Sequence, residues 1–115
     1  MSKLVKVVNL EDGMPSVEQA RARLNSELSV ARAGGVKILK IIHGYGSSGV
    51  GGDLRIGLQA TLRQMAERRE IRACIYGENW RKADERAWAL LKQFPELKED
   101  HDLGKGNRGI TLVVL

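Results

Sequence analysis

A histidine followed by a glycine-rich loop is the feature of the sequence best suited to chemistry. Residues 36–43 form an apolar run that ends in His43, and the loop 44–52 leads from it to a helix-like segment at Asp53. Glycines let a backbone approach a ligand closely, and the first turn of a helix offers unpaired N–H groups and a partial positive charge. The order strand, loop and helix therefore predicts a phosphate site. His43 could contact the phosphate as a donor or as a general acid or base, or it could cap the strand by bonding a neighbouring carbonyl group.

Hydrophobic patterning predicts the strands that hold this loop in place. Short runs rich in apolar and β-branched residues predict strands at residues 4–10, 36–42, 71–76 and 109–115. Helical segments separate them, in the order β-α-β-α-β-α-β. This order predicts a single α/β domain over residues 1–115, with about four strands and three helices that cover the faces of the sheet. The pattern leaves open whether the last strand pairs antiparallel.

Three helices are expected between the strands. The first begins with a capping box of Ser16 and Gln19 and ends at Gly34. Asp53 is expected to cap the second helix, and Pro95 limits the third. A polar stretch at residues 98–108 predicts a loop before the last strand. The apolar stripe of the third helix is expected to comprise Trp80, Ala83, Ala87, Leu90, Leu91 and Phe94.

Several side chains within these elements can be assigned to the core or to the surface. Trp80 is expected in the core, whereas Trp88 lies off the apolar stripe of its helix and is expected to be exposed. Cys74 is the single cysteine, and its apolar neighbours predict a buried free thiol. Lys37 and Lys40 interrupt the second strand, which predicts that they lie near its ends or on a thinly covered face.

Composition narrows the class of partner. The chain has 115 residues and a net charge of +5, and its arginines and lysines are scattered rather than gathered in a tail. A folded basic face would attract polyanions, so nucleic acid is favoured, although an unengaged basic surface is the alternative. The N-terminus lacks an apolar signal core, and the sequence holds no run long enough to span a membrane. We therefore expect a cytoplasmic protein without a membrane partner.

Nucleotide-binding motifs fit the glycine loop poorly. Gly44, Gly46 and Gly49 match the G-x-G-x-x-G dinucleotide fingerprint, but the loop follows the second strand, and the nearest fitting acid, Glu78, lies too far along the chain. The spacing also suits a phosphate-binding P-loop. However, Val50 and the glycine after it occupy the positions where lysine and serine or threonine are required. The sequence therefore excludes a P-loop and disfavours a dinucleotide site.

Metal and serine chemistry are weaker interpretations. The chain has only His43 and His101, far apart in sequence and without helical spacing, so we expect neither a metal site nor a cofactor. Ser47 or Ser48 could act as a nucleophile with His43 as base and Asp53 or Glu11 as the orienting acid. Gly-Ser-Ser-Gly is equally typical of a flexible loop.

Several segments together resemble the small MutS-related (Smr) domain family. Residues 41–46, Ile-Ile-His-Gly-Tyr-Gly, resemble its hydrophobic-His-Gly-x-Gly segment. Residues 16–20 are similar to the start of its first helix, and the helix containing Leu54 and Arg55 is similar to its second. Residues 109–115 resemble its final Gly-hydrophobic-Thr-hydrophobic-Val strand. The resemblance covers most of the chain except about 77–102, where an extra helical insertion is expected.

The resemblance implies a fold and an activity. The fold would be a two-layer α/β sandwich similar to the C-terminal domain of translation initiation factor three. The activity would be DNA or RNA binding, with endonuclease (nicking) activity in some members. The family's Leu-Asp-Leu-His-Gly motif is degenerate here, since Asn9 replaces the aspartate and the sequence runs on through Leu10, Glu11 and Asp12 to Gly13 without a histidine. Cleavage would need His43 to share the work with Glu11 or Asp12, so whether the chain is an enzyme stays open.

The resemblance and the loop together define a set of expected binding residues. Arg55, Lys105 and Arg108 are the expected flanking cations, and the loop residues expected to contact phosphate are Gly44, Tyr45, Gly46, Ser47, Ser48 and Gly49. Three functions stay open: a nucleic-acid-binding module, a weak nuclease, and a non-enzymatic binder of a nucleotide or another small phosphorylated ligand. An Smr-like domain without a larger companion domain also suggests a separate protein partner.

Overall fold

The computed structural model describes residues 4–45 and 51–115. In these residues a sheet is formed by β1 (Val5–Asn9), β2 (Ile38–Ile42), β3 (Ala73–Tyr76) and β4 (Ile110–Val114). The helices are α1 (Val17–Ala33), α2 (Gly51–Glu67) and α3 (Glu85–Gln93), and short 3₁₀ turns at Gly77–Asn79 and Pro95–Glu99 flank α3. The predicted α/β order is confirmed. No helix in the described residues is both long and apolar enough to cross a membrane.

The sheet has the strand order β1-β2-β4-β3. β1 and β2 run parallel, and β4 runs antiparallel to both β2 and β3, which answers the question of direction that the sequence left open. The C-terminal ends of β1, β2 and β3 therefore meet the N-terminal end of β4 at one edge. We call this the carboxyl edge; it is formed by Glu11, His43, Gly44, Glu78 and Gly109 and their neighbours.

Helix α1 begins as its sequence predicts. The Ser16 hydroxyl accepts a hydrogen bond from the Gln19 N–H at 3.1 Å, and the Gln19 side chain accepts one from the Ser16 N–H at 2.9 Å. These two bonds satisfy donors that the first helical turn leaves unpaired. The face that α1 and α2 share with the sheet contains Ala20, Leu24, Leu28, Leu39, Ile41, Leu54, Leu58, Leu62, Cys74 and Val113. Cys74 is buried, as predicted.

Helix α2 starts earlier than predicted. It begins at Gly51, so Asp53 lies inside the first turn rather than at the N-cap, and the prediction of an Asp53 cap is wrong. A carboxylate is favourable both at the cap and within the first turn, because both positions lie near the positive end of the helix dipole. An aspartate in the sequence therefore indicates that the N-terminal end of the helix is near, but it does not show whether the residue is the N-cap or lies in the first turn.

Helix α3 and its flanking turns cover the other face of the sheet. Their apolar side chains pack on Ile38, Ile75, Leu112 and Val114. Trp80 is buried as predicted, but it precedes α3, which begins at Glu85 because the Asp84 carboxylate caps it by accepting from the Ala87 N–H at 3.0 Å. Trp88 is 43% exposed, also as predicted. The face of the sheet opposite α1 and α2 is therefore covered as well. The interpretation of residues 77–102 as an insertion stays a prediction.

The prediction that Lys40 lies near an end of its strand or on a thinly covered face is wrong, because Lys40 is the middle residue of β2 and is buried. Its side chain is buried beneath the segment that follows α3, where Nζ lies 3.1 Å from Asp100 Oδ2 and 2.5 Å from Asp102 Oδ2. The Trp80 indole N–H donates to Asp100 at 3.2 Å. Burial alone would lower the pKa of Lys40, but hydrogen bonds to Asp102 and Asp100 outweigh it, and the pKa is raised. The predicted loop 98–108 is therefore anchored to the central strand.

Candidate functional site

The carboxyl edge brings together several of the residues singled out from the sequence. The backbone N–H groups of His43 and Gly44 both donate to the Gly109 carbonyl, at 2.9 and 3.1 Å. The Leu10 N–H donates to the Ile42 carbonyl at 2.8 Å, which places Glu11 beside the same turn. Three chain segments that are distant in sequence therefore meet at the start of the glycine loop.

The imidazole of His43 is buried and fully engaged. Its Nδ1 atom lies 2.6 Å from the Gly44 carbonyl oxygen, and its Nε2 atom lies 2.9 Å from Thr111 Oγ1. A carbonyl oxygen only accepts, so Nδ1 carries the proton and Nε2 accepts from the Thr111 hydroxyl. The hydrogen bond to a neighbouring carbonyl is the one that strand capping requires, and it fixes the backbone at Gly44.

A chain of hydrogen bonds extends from His43 into helix α2. The Gln59 amide donates to Thr111 Oγ1 at 3.4 Å, and both side chains are buried. Donation therefore runs in one direction, from Gln59 through Thr111 and His43 to the Gly44 carbonyl. Burial lowers the pKa of His43 below 6.5, with the Arg55 charge acting in the same direction, while the bond to Gly44 opposes the shift. The ring is consequently neutral near pH 7.

Glu11 and Asp12 lie in the turn that follows β1, and the side chain of Asn9 stabilises this turn. The Asn9 side-chain oxygen accepts from the backbone N–H groups of Glu11 and Asp12, at 3.0 and 3.2 Å. The Asp12 carbonyl accepts from Arg23 at 2.8 Å. This places the Glu11 carboxylate so close to Gly44 that a Cβ there would collide with it. Both acidic side chains are exposed, so they lie at the mouth of the site.

Arg55 and Glu78 form a loose ion pair beside His43. The Arg55 guanidinium lies 3.5 Å from Glu78 Oε2, and the side chains are 26% and 32% exposed. Arg55 Nε and Glu78 Oε1 are each buried without a hydrogen-bond partner in the described structure. Their charges act on His43 in opposite directions. A cation and an anion with unused hydrogen-bonding atoms therefore stand at the start of α2.

Tyr45 and Arg108 form the exposed rim of the site. Tyr45 is 57% exposed, and its ring would lie 3.5 Å from a Cβ placed on Gly109. Arg108 precedes Gly109 and is exposed. The Asn107 side chain accepts from the Gly109 N–H at 2.8 Å and donates to Asp102 at 3.0 Å. The rim is therefore tied, through Asp102, to the buried Lys40.

Of the remaining predicted site residues, the structure describes only Lys105. Lys105 is exposed in a turn in which its N–H donates to the Asp102 carbonyl at 3.1 Å. The predicted contacts at Gly46, Ser47, Ser48 and Gly49 lie outside the described residues. Among the residues that are described, no group of three or more His, Cys, Asp or Glu side chains is placed to hold a metal ion.

Sequence reasoning missed two members of the site, Gln59 and Thr111, and it missed the buried acidic partners of Lys40. Thr111 and Lys40 are the polar residues of otherwise apolar strands. A polar residue in a buried strand must find a partner, and that requirement was the available signal. It does not identify the partner, because Gln59 and Asp102 come from remote parts of the chain.

Comparison with known proteins identifies the family and the fold. The model of the Smr domain family matches residues 12–84. Among solved structures, the chain is similar to the Smr domain of MutS2 from Thermus thermophilus, with a TM-score of 0.58 and 22% sequence identity. That similarity covers 96% of this chain and 96% of the other, so it extends to the fold as a whole. A search of curated proteins found no significant match.

Proposed function

This chain belongs to the Smr domain family, and from that premise we propose that it binds DNA or RNA through phosphate contacts at the carboxyl edge of its sheet. The observation that carries the proposal is the exposed Tyr45 ring beside Gly109, with the cation of Arg108 next to it in the chain. An exposed aromatic ring and a cation one residue before the glycine that it approaches suit a nucleotide, since an aromatic ring stacks on a base and a guanidinium pairs with a phosphate.

The start of helix α2 supplies a second contact. The first turn of a helix has N–H groups without an intrahelical partner, and Arg55 stands one turn after Gly51, where α2 begins. The long 3.5 Å separation of Arg55 from Glu78 and the unused Nε atom leave this guanidinium able to turn towards a phosphate. Glu78 then holds Arg55 at the edge when no ligand is bound.

His43 acts in this proposal as a positioning residue. Its bond to the Gly44 carbonyl and its bond from Thr111 hold the backbone that precedes Tyr45. With both nitrogens engaged and a lowered pKa, the ring is poorly suited to exchange a proton with a substrate. Hydrolysis of a phosphodiester needs one group to activate water and another to protonate the leaving oxygen. Glu11 and Asp12 are carboxylates, which repel a phosphate, so we propose binding without strand cleavage.

Binding of nucleic acid by the protein and cleavage of its strands can be measured in one experiment. Purified protein is incubated with supercoiled plasmid and, separately, with a structured RNA across a salt series. The parent is compared with the Tyr45→Ala/Arg108→Gln variant and with Lys37→Gln, a matched control in which an exposed cation is removed at the opposite end of β2. We expect retention that falls steeply with salt, no strand breaks, and about tenfold weaker retention for the Tyr45→Ala/Arg108→Gln variant.

Other outcomes decide between the alternatives. Strand breaks that disappear in His43→Ala and Glu11→Gln would establish nuclease chemistry and contradict the proposal of binding without strand cleavage. Saturable binding of a mononucleotide that plasmid does not displace would favour a small phosphorylated ligand. Equal retention by the Tyr45→Ala/Arg108→Gln and Lys37→Gln variants would show that binding occurs elsewhere.

A further inference from the structure

A groove lined by arginines runs along β3, away from the site described above. β3 pairs only with β4 among the described strands and is therefore an edge of the sheet. The groove has a volume of about 970 Å³, and its walls carry Arg63 from α2, Arg72 before β3, Arg81 after the first 3₁₀ turn, and Arg86 from α3. The cations therefore come from both faces of the sheet and flank the edge strand along its length.

These arginines are not engaged by acidic partners. Within residues 4–45 and 51–115, none of the four takes part in an ion pair or a side-chain hydrogen bond. The acids that line the same groove are Glu67, Asp84 and Glu85, and Asp84 is committed to capping α3. The groove is therefore lined by four arginines and three acids, and one of the acids already accepts a hydrogen bond at the cap of α3. Guanidinium groups bind phosphate oxygens through paired N–H donors.

One end of the groove lies next to the carboxyl edge. Tyr76 lines it and pairs in the sheet with Thr111, the residue that bonds His43. Asn79, another lining residue, follows Glu78, the partner of Arg55. Burial raises the pKa of Cys74 and of Tyr76, and the nearby charges of Arg63 and Arg86 act in the opposite direction. A chain bound at Tyr45 could therefore continue past Tyr76 towards Arg72.

We propose that this groove, which we call the β3 groove, binds the phosphate backbone of single-stranded nucleic acid, with Arg63 and Arg86 as its principal cations. A single strand suits a cation-lined groove that holds an aromatic side chain, because its backbone bends and its bases are free to stack. The proposal rests on the proposed function, since it extends the same nucleic-acid contact to a second surface.

The test compares pairs of variants that carry the same change of charge. Affinities for fluorescent oligothymidylate and oligouridylate are measured by anisotropy for the parent, Arg63→Gln/Arg86→Gln, and the control Lys37→Gln/Lys92→Gln, whose side chains are also exposed. We expect the arginine pair to weaken binding about tenfold and to lower the salt slope by about 0.7 for each lost phosphate contact. The control is expected to differ little from the parent. Urea midpoints verify that each variant folds.

The outcomes separate this proposal from the proposed function. If Tyr45→Ala/Arg108→Gln weakens binding and Arg63→Gln/Arg86→Gln equals its control, the proposed function stands and the β3 groove is not a nucleic-acid site. If only the arginine pair matters, the groove binds and the proposed site at Tyr45 is wrong. Binding of polyglutamate that tracks the arginine pair while oligonucleotides do not bind would replace nucleic acid with an acidic peptide and overturn both proposals.

Discussion

The imidazole of His43 and the hydroxyl of Thr111 form a buried hydrogen bond of 2.9 Å between the end of β2 and the start of β4. Removing the hydroxyl in Thr111→Val leaves Nε2 of His43 and the Gln59 amide without this partner. We expect the free energy of unfolding to fall by about 1–3 kcal/mol, the cost of an unsatisfied buried polar group. Urea denaturation measures it. Thr61→Val is the control, because Thr61 bonds the Gly57 carbonyl at a half-buried position; an equal loss there would argue against a special role for the buried pair.

The stability of the fold is expected to depend on pH through His43. Burial, with the Arg55 charge, lowers the folded-state pKa below 6.5, so the unfolded chain binds a proton at a higher pH than the folded chain does. The contribution of His43 is therefore complete above 6.5 and is lost as the pH falls from that value towards the folded pKa. Urea unfolding between about pH 8 and about pH 5 should show a steeper loss for the parent than for His43→Gln. His101→Gln, at an exposed histidine, should follow the parent; if it flattens the profile instead, His43 is not the titrating group.

The buried Lys40 is expected to be essential to stability. Lys40→Met removes the cation that neutralises Asp100 and Asp102, whose side chains are only 13% and 15% exposed. Breaking a buried pair by removing one partner costs about 3–5 kcal/mol, because the other charge stays buried. Lys37→Met changes an exposed lysine just before the same strand and should shift the unfolding free energy by less than about 0.5 kcal/mol. Similar unfolding curves for the two variants would mean that the aspartates find water in place of Lys40.

Gly77 is expected to tolerate no side chain. A Cβ there would collide with the backbone carbonyl of Asn107 and with Ile110, neither of which can move without disturbing β4. Overpacking of this kind costs about 1–3 kcal/mol, so Gly77→Ala should lower the unfolding midpoint clearly. Gly34→Ala is the matched control, since its Cβ would meet only ordinary contacts at 3.4 Å. Thermal unfolding of the two variants tests the comparison, and equal midpoints would contradict the close approach of the 3₁₀ turn to Asn107.

Local patterns predicted most of the fold. The capping box at Ser16 and the apolar neighbours of Cys74 are local features of the sequence, and the structure confirms the cap and the burial that they predict. The antiparallel pairing of β4 is not local, because it depends on how the chain returns after α3. The start of α3 was missed for a related reason: Trp80 satisfies the periodicity of the helix while belonging to the turn before it.

The candidate site was less predictable than the fold. The turn after β2 could be located because glycine and histidine mark it in the sequence. The partners of its polar groups could not, because Thr111 and Gln59 reach His43 from other elements. The arginines of the β3 groove are spread over residues 63–86 in the sequence. They come together only because α2 and α3 fold on either side of β3.

The most direct test of nucleic-acid binding at the carboxyl edge is an NMR titration of ¹⁵N-labelled protein with a short DNA duplex and, separately, a short hairpin RNA. We expect the largest amide shifts at Gly44, Tyr45 and Gly109, falling with added salt, and little change at Gly34 and Lys37 at the opposite end of the sheet. Saturable shifts that leave Gly44, Tyr45 and Gly109 unmoved, or no shifts at low salt with either ligand, would contradict binding at this edge.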